Sequence, residues 1–363
     1  MTRQCCHPRN LSTAKGHGIC MECLAGEFNA PFEEVSWQPA WLATSGLMLP
    51  WKESSPSPLC KIPGRFLAPH QIFRKDCFHI WKQTIGGHWV ASGIVLLLDL
   101  GYWNTALGPQ DADSLLQVAY RDYDYFMKNE WTGHQVSHCK MFTKALLHWP
   151  KQKMFPYTRI KGSDIMLCTR WFVRLLSSGL WDPSAGVRRQ VSLIERPLHP
   201  SHVPLLRELL RGSYGALEFF RMCHTEGVWH DRGQAQVVAR ACYSFCEAYS
   251  QIAQMCHVRG LRRFHLEPSL HYYLHFAVDS AERLRQGHQH VMSPMTEGCE
   301  ADEDFVGRLA RLSRCVHARS VNQRTIERYL IKVRFVLFGE DYNSSGPSNA
   351  RKKKLKRGQR NAQ

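Results

Sequence analysis

Apolar residues recur at helical spacing over much of the chain between about residues 164 and 286. In "QAQVVARACYSFCEAYSQIAQMC" (234–256) they alternate at intervals of four and three, which places them on one face of an α-helix. The members of this stripe are Val238, Cys242, Phe245, Tyr249, Ile252 and Cys256. The pattern predicts a long amphipathic helix that turns this stripe toward the core.

Four other segments also have helical patterns. "TIGGHWVASGIVLLLDLGYW" (84–103) is too long and too apolar for an exposed strand, and it predicts a buried helix that packs closely through Ala91, Ser92 and Gly93. "LEPSLHYYLHFAVDSAERL" (266–284) has Pro268 at a helix start and puts His271 and His275 one turn apart on the same face. Two more helices are predicted at roughly 302–316 and 323–338. In the second of these helices, apolar residues at helical spacing lie on one face, namely Ile326, Tyr329, Leu330, Val333 and Leu337.

The charge balance favours a polyanionic partner such as nucleic acid. The 363 residues include 47 Lys and Arg against 31 Asp and Glu, a formal charge of +16. The tail "RKKKLKRGQR" (351–360) supplies seven positive charges and resembles a nuclear localisation signal, with Lys352, Lys353 and Lys354 as phosphate-binding candidates. We therefore expect a nuclear protein that binds nucleic acid.

The short apolar runs predict a soluble protein, and the absence of a signal peptide predicts that its cysteines are reduced. The longest apolar run contains Asp99, and no run reaches the ~20 residues that a membrane span needs. The start "MTRQCCHPRN" lacks a signal-peptide core, so the 14 cysteines are expected to be reduced thiols. Residues 1–70 are rich in Pro, Gly and Ser and should be irregular.

The irregular amino-terminal segment contains a candidate zinc site. In "CCHPRNLSTAKGHGICMEC" (5–23), Cys20 and Cys23 form a C-x-x-C pair, which supplies two zinc ligands from one tight turn. Cys5 and His17 are candidates for the other two ligands, with Cys6 and His7 also within reach. The alternative is that these cysteines pack in the core or stay unligated.

Two acidic motifs could bind Mg²⁺ or Mn²⁺. In "FRKDCFHIW" (73–81), Asp76 precedes His79 by three residues, a pair that could hold a divalent ion. The alternative is a surface aspartate beside a packed histidine.

A cluster of acidic residues in 299–325 is the second motif, in which Glu303 lies among Glu300, Asp302 and Asp304. The simpler explanation for these acids is that they begin a helix, where negative charge complements the helix dipole. Basic residues follow this cluster, namely Arg308, Arg311, Arg314, Arg319 and Arg324.

Three motifs together resemble the DDE/D transposases of the CACTA, hAT and P-element kind. "DCFH" followed by "GG" and an apolar helix resembles the second-Asp motif of that family. "EDFVGRLARLSR" (303–314) is similar to the helix that supplies its final catalytic Glu, and "EPSLHYYLHF" (267–276) resembles the proline and histidine box before it. The resemblance implies that Asp76, His79 and Glu303 are catalytic, and that Asp76 and Glu303 bind two metal ions for strand transfer on DNA. Glu300, Asp302 and Asp304 are the alternatives to Glu303 as the third carboxylate.

The resemblance also implies a fold and a domain order. The expected fold is mainly α with a small α/β part, an incomplete RNase H-like core interrupted by a large helical insertion. The expected divisions are 1–58, an irregular segment with the zinc knuckle; 59–150, a partial RNase H-like core; 151–290, the helical insertion; 291–340, carboxyl-terminal core helices; and 341–363, a disordered basic tail.

The chain departs from the transposase pattern because no Asp precedes Asp76. Without the first carboxylate one metal loses a bridging ligand, so we expect an amino-terminally truncated or decayed transposase that binds DNA with impaired catalysis. The alternative function is a non-enzymatic helical nucleic-acid-binding protein with a zinc knuckle. A third is a helical scaffold whose charge serves solubility or RNA association. A homo-oligomeric state is left open.

Overall fold

The computed structural model describes residues 19–20, 22–27, 29–46, 75–104, 111–181, 199–314 and 316–338. The chain divides into two compact units, Met1–Gly298 and Cys299–Gln363. The helices of the first unit are α1 (Cys77–Ile80), α2 (Gly86–Asp99), α3 (Ala112–Tyr125), α4 (Gly162–Trp181), α5 (Val203–Thr225), α6 (Arg232–Val258) and α7 (Pro268–Arg285). Those of the second are α8 (Glu300–Ser313) and α9 (Val321–Phe338). The prediction of a mainly helical protein is confirmed.

The expected RNase H-like core is absent from the described residues. Their only strands are β1 (Trp229–Asp231) and β2 (His290–Met292), which pair antiparallel with His230 opposite Val291. A sheet of two short strands cannot form the multi-stranded layer of an RNase H-like core. The expectation rested on short motifs around Asp76 and Glu303. It did not rest on any run of alternating apolar and polar residues, and such runs are what build strands.

The predicted buried helix after Asp76 is confirmed as α2. A π-helical stretch, Trp81–Ile85, joins α1 to α2, and the residues from Gly86 to Leu98 are buried on every face. Gly93 permits close packing, because a Cβ there would lie 2.7 Å from the ring of Phe172. Helix α2 is therefore central to the core of the first unit.

The apolar stripe predicted for 234–256 is also confirmed. All six of its residues are buried in α6, whose start is closed by a capping box between Asp231 and Gln234. Helix α6 packs against both α5 and α7, and Gly215 of α5 lies close to the backbone of α6. A Cβ on Gly215 would lie 2.7 Å from the carbonyl oxygen of Ala241 and 2.9 Å from the backbone nitrogen of Phe245.

Asp99, the one acid in the longest apolar run, pairs with a buried cation. The guanidinium of Arg263 lies 2.8 Å from the Asp99 carboxylate, and the Arg263 side chain is fully buried. Arg263 also donates to the carbonyl oxygens of Arg262 and Gln152 and lies over the ring of Trp149. The pair therefore ties the end of α2 to the segment between α6 and α7.

Replacing Gly215 with alanine should destabilise the first unit. The added methyl group meets backbone atoms of α6, which cannot move aside as a side chain could, so we expect the free energy of unfolding to fall by about 1–3 kcal/mol. Gly233→Ala is the matched control, because its Cβ meets only the Asp231 carboxylate at 3.4 Å. The control should change stability by no more than about 1 kcal/mol. Urea denaturation measures both; equal stability of the two variants would contradict this packing.

Candidate metal centre

Cys20 and Cys23 lie on a tight turn whose backbone is closed by a hydrogen bond. The Ile19 N–H donates to the Ala25 carbonyl oxygen over 2.7 Å, and the Glu22 N–H donates to the Cys20 sulfur over 3.3 Å. Both cysteine side chains are buried. The C-x-x-C spacing thus presents two sulfurs from one turn, as the sequence predicts.

This turn is held against α7. Tyr272 on α7 donates its hydroxyl to the Ile19 carbonyl oxygen at 2.6 Å. Trp41, on the 3₁₀-helix Ala40–Thr44, is fully buried and packs its ring on His271 and His275, with ring centroids 4.4 and 4.7 Å away. The irregular segment therefore places its cysteines beside the two histidines of α7.

Four buried donor atoms converge at this place. The Cys20 sulfur lies 3.5 Å from His275 Nε2, and the Cys23 sulfur lies 3.4 Å from His271 Nε2 and 3.6 Å from His275 Nε2. The two Nε2 atoms are 3.1 Å apart. Zn–S and Zn–N bonds at tetrahedral angles separate sulfur from nitrogen by about 3.6 Å and two nitrogens by about 3.3 Å. The cluster can therefore bind a structural zinc ion.

A buried ion network surrounds His275 on the side away from the sulfurs. Its Nδ1 lies 3.4 Å from an oxygen of Asp279 and 3.7 Å from one of Glu22. The ammonium of Lys75 bridges these two carboxylates, at 2.7 Å from Glu22 and 2.8 Å from Asp279. A carboxylate on Nδ1 fixes the tautomer that leaves Nε2 available to a metal ion.

The local charges prepare the site for a cation. Burial by itself would raise the pKa of the Cys20 thiol, but the hydrogen bond with Cys23 and the adjacent histidines hold it well below its usual range. Hydrogen bonding to Cys20, together with burial, raises the pKa of Cys23. Burial lowers the pKa of His275, but Cys20 and Asp279 outweigh it and raise the value to about 10. A metal ion bound here would take the place of the protons on the Cys23 sulfur and on His275 Nε2.

The sequence located one half of this cluster and not the other. Cys5 and His17, the expected third and fourth ligands, lie outside the described residues. The nearby donors come instead from His271 and His275, 248 to 255 residues along the chain. Their spacing of four on a helix was visible in the sequence, but nothing local connected it to the C-x-x-C turn.

Asp76 caps the start of α1. Its carboxylate accepts from the backbone nitrogens of Phe78 at 3.0 Å and His79 at 3.4 Å, and the His79 ring nitrogen Nδ1 also contacts it. An N-cap aspartate satisfies helix-end donors that would otherwise lack partners. The position of Asp76 and His79 thus has a structural explanation, and their predicted catalytic role stays a prediction.

The other predicted residues belong to the second unit. Glu303 lies within α8, whereas Asp76 lies in the first unit. The five arginines predicted to contact nucleic acid, Arg308, Arg311, Arg314, Arg319 and Arg324, are all exposed. Lys352, Lys353 and Lys354 lie outside the described residues.

Comparisons with known proteins give no family. No protein-family model, curated protein or solved structure matches this chain. Among the described residues, no helix is both long enough and apolar enough to cross a membrane. Function must therefore be argued from the chemistry of the chain itself.

Replacing Cys23 with serine should remove one equivalent of zinc and destabilise the protein. At a zinc concentration about a thousandfold above the dissociation constant, the bound ion contributes about 4 kcal/mol to folding, and this is lost with the ligand. The measurements are metal content by mass spectrometry and urea denaturation with and without chelator. Chelator should lower the free energy of unfolding of the wild type, and it should lower that of the variant far less.

Cys256→Ser is the matched control, because Cys256 is equally buried and lies on α6. It should lose packing energy but keep the zinc equivalent and the response to chelator. Equal zinc content in wild type and Cys23→Ser would show that the cluster does not bind the ion.

Proposed function

We propose that this chain is a zinc-stabilised helical protein that binds nucleic acid, through the unit Cys299–Gln363, without cleaving it. The observation that carries the proposal is the distribution of charge. This unit contains 15 Lys and Arg against 7 Asp and Glu, an excess of eight, which is half of the formal charge of +16. The much longer first unit carries the other half. A basic excess concentrated in one short unit is typical of a surface that contacts phosphates.

The exposure of the arginines supports the same assignment. Arg308 and Arg311 are three residues apart on α8, so they lie on neighbouring turns of one face. Arg314 follows at the end of α8, and Arg319 lies in the 3₁₀ turn Ala318–Ser320 that leads into α9. All four side chains are exposed and can reach phosphate oxygens.

Two observations support a role without catalysis. The helix cap accounts for Asp76 without a metal ion, because one of its carboxylate oxygens accepts hydrogen bonds from the backbone at the start of α1. The described residues also lack the multi-stranded sheet on which a DDE/D site is assembled. Descent from a transposase stays a separate hypothesis, which predicts residual divalent-metal-dependent strand cleavage.

Removing two of the exposed arginines should weaken DNA binding and its dependence on salt. We expect the double variant Arg311→Ala, Arg314→Ala to make the plot of log K, the logarithm of the binding constant, against log salt less steep. The slope should become less negative by about 2, because each phosphate contact contributes about −0.9. Fluorescence anisotropy of a labelled duplex, titrated with the full chain at several salt concentrations, gives the slope. Arg207→Ala with Arg240→Ala is the control of equal charge, on exposed positions of α5 and α6. Equal slopes for the two double variants would contradict the proposal.

A cleavage assay decides between the binding and the enzymatic hypotheses. Supercoiled plasmid with Mg²⁺ or Mn²⁺ should remain uncut by the full chain. The informative variant is Asp76→Asn, since an asparagine still caps a helix but no longer provides a carboxylate for metal. Nicking by wild type that is lost in both Asp76→Asn and Glu303→Gln would overturn the non-enzymatic proposal and favour the transposase hypothesis.

A further inference from the structure

A second group of metal-ligating side chains lies in the first unit, with no cysteine in it. His88 is in the first turn of α2, and His265 and Glu267 lie in the segment that leads into α7. His88 Nε2 is 3.0 Å from Oε1 of Glu267, and His265 Nδ1 is 3.1 Å from the same oxygen. Two nitrogens and one carboxylate oxygen thus converge on one point.

The proton on His88 is placed by its other ring nitrogen. Nδ1 of His88 lies 3.2 Å from the backbone carbonyl oxygen of Pro156, which can only accept a hydrogen bond. Nδ1 therefore carries a proton, and the Nε2 of a neutral His88 presents a lone pair to Glu267. Two acceptors 3.0 Å apart repel each other unless a proton or a metal ion lies between them. A histidine that donates Nδ1–H to a carbonyl and presents Nε2 is typical of metal ligation.

The carboxylate of Glu267 is directed to this point and not to the helix that it precedes. Glu267 is the N-cap residue of α7, yet its side chain makes no capping hydrogen bond. Aromatic rings support both histidines, with Phe155 stacked on His265 at 4.6 Å and Tyr157 against His88 at 4.7 Å. The three donors are thus oriented by packing and by the backbone.

We propose that His88, His265 and Glu267 form a second metal site, which binds a divalent transition ion such as Zn²⁺ with solvent in the remaining position. Its character differs from that of the buried Cys/His cluster. The His88 side chain is only 8% exposed, but that of His265 is 45% exposed, so one side of the site opens to water. Three N/O ligands with an open fourth position are the ligand set of zinc sites that hold water or a small anion.

Cobalt titration of the full, metal-free chain separates the two sites. Cobalt bound by thiolates gives intense sulfur-to-metal charge-transfer absorption, whereas cobalt bound by imidazole and carboxylate gives only weak d–d bands. We expect two equivalents to bind, one with charge transfer and one without it. Binding of a single equivalent that shows charge transfer, or charge transfer with both equivalents, would overturn the second site. A single equivalent without charge transfer would count against the Cys/His cluster only.

His265→Ala identifies the residues of the second site. Because this side chain lies at the surface, the variant should fold normally, as near-UV circular dichroism can verify. We expect it to bind the second equivalent at least about 100-fold more weakly while charge transfer at the first is unchanged. His257→Ala, at an exposed position on α6, is the matched control and should keep both equivalents. Glu267→Gln should behave like His265→Ala. Two tightly bound equivalents in both site variants would show that a proton, and not a metal ion, lies between His88 and Glu267.

Discussion

The contact between the Cys20–Cys23 turn and helix α7 is the constraint on which the architecture of the first unit depends. The segment around the cysteines has little regular structure of its own, since its described residues contain one 3₁₀-helix and one isolated bridge. It joins the core by meeting a helix about 250 residues away. Closing so long a loop has an entropic cost that grows only slowly with length, so a strong local interaction can offset it. Four soft or borderline donors around one zinc ion would supply such an interaction, and burial of Trp41 on the same histidines adds to it.

The charges around this contact act together. Lys75 is buried between Glu22, which lies on the cysteine turn, and Asp279, which lies one turn after His275 on α7. Burial by itself would raise the pKa of Asp279, but the adjacent cations hold it well below its usual range, so the acid stays ionised. Removing Lys75 would leave two partly buried carboxylates without the cation between them, which is costlier than losing a surface pair. Since Asp76 follows Lys75 directly, the same network also fixes the start of α1.

Periodicity predicted the helices because that signal is local. The stripe from Val238 to Cys256, the buried segment after Asp76 and the helix start at Pro268 all depend on neighbours within a few turns, and all three are confirmed. The metal cluster depends on which distant segments meet, and spacing carries no information about that. Proximity in the sequence to Cys20 therefore favoured Cys5 and His17, although His271 and His275 already have the spacing of metal ligands on a helix. The prediction of an RNase H-like core was wrong for a different reason. It extended short motifs into a multi-stranded sheet, whereas the only strands among the described residues are β1 and β2.

The motif at Asp76 shows why a spacing pattern alone cannot identify a catalytic carboxylate. An aspartate before a helix accepts from the backbone nitrogens two and three residues later, and the side chain of the third residue then lies beside it. Asp76, Phe78 and His79 have this arrangement. The D-x-x-H spacing that resembles a transposase motif is thus also what helix capping favours when a histidine occupies the third position. The two explanations differ in what they require of the carboxylate oxygens. A metal ligand needs an oxygen lone pair that is not used by the hydrogen bonds of the helix cap. At Asp76 one oxygen accepts from the backbone and the other contacts the His79 ring. A metal ion bound there would lie between this second oxygen and the ring nitrogen, and it would leave the cap intact.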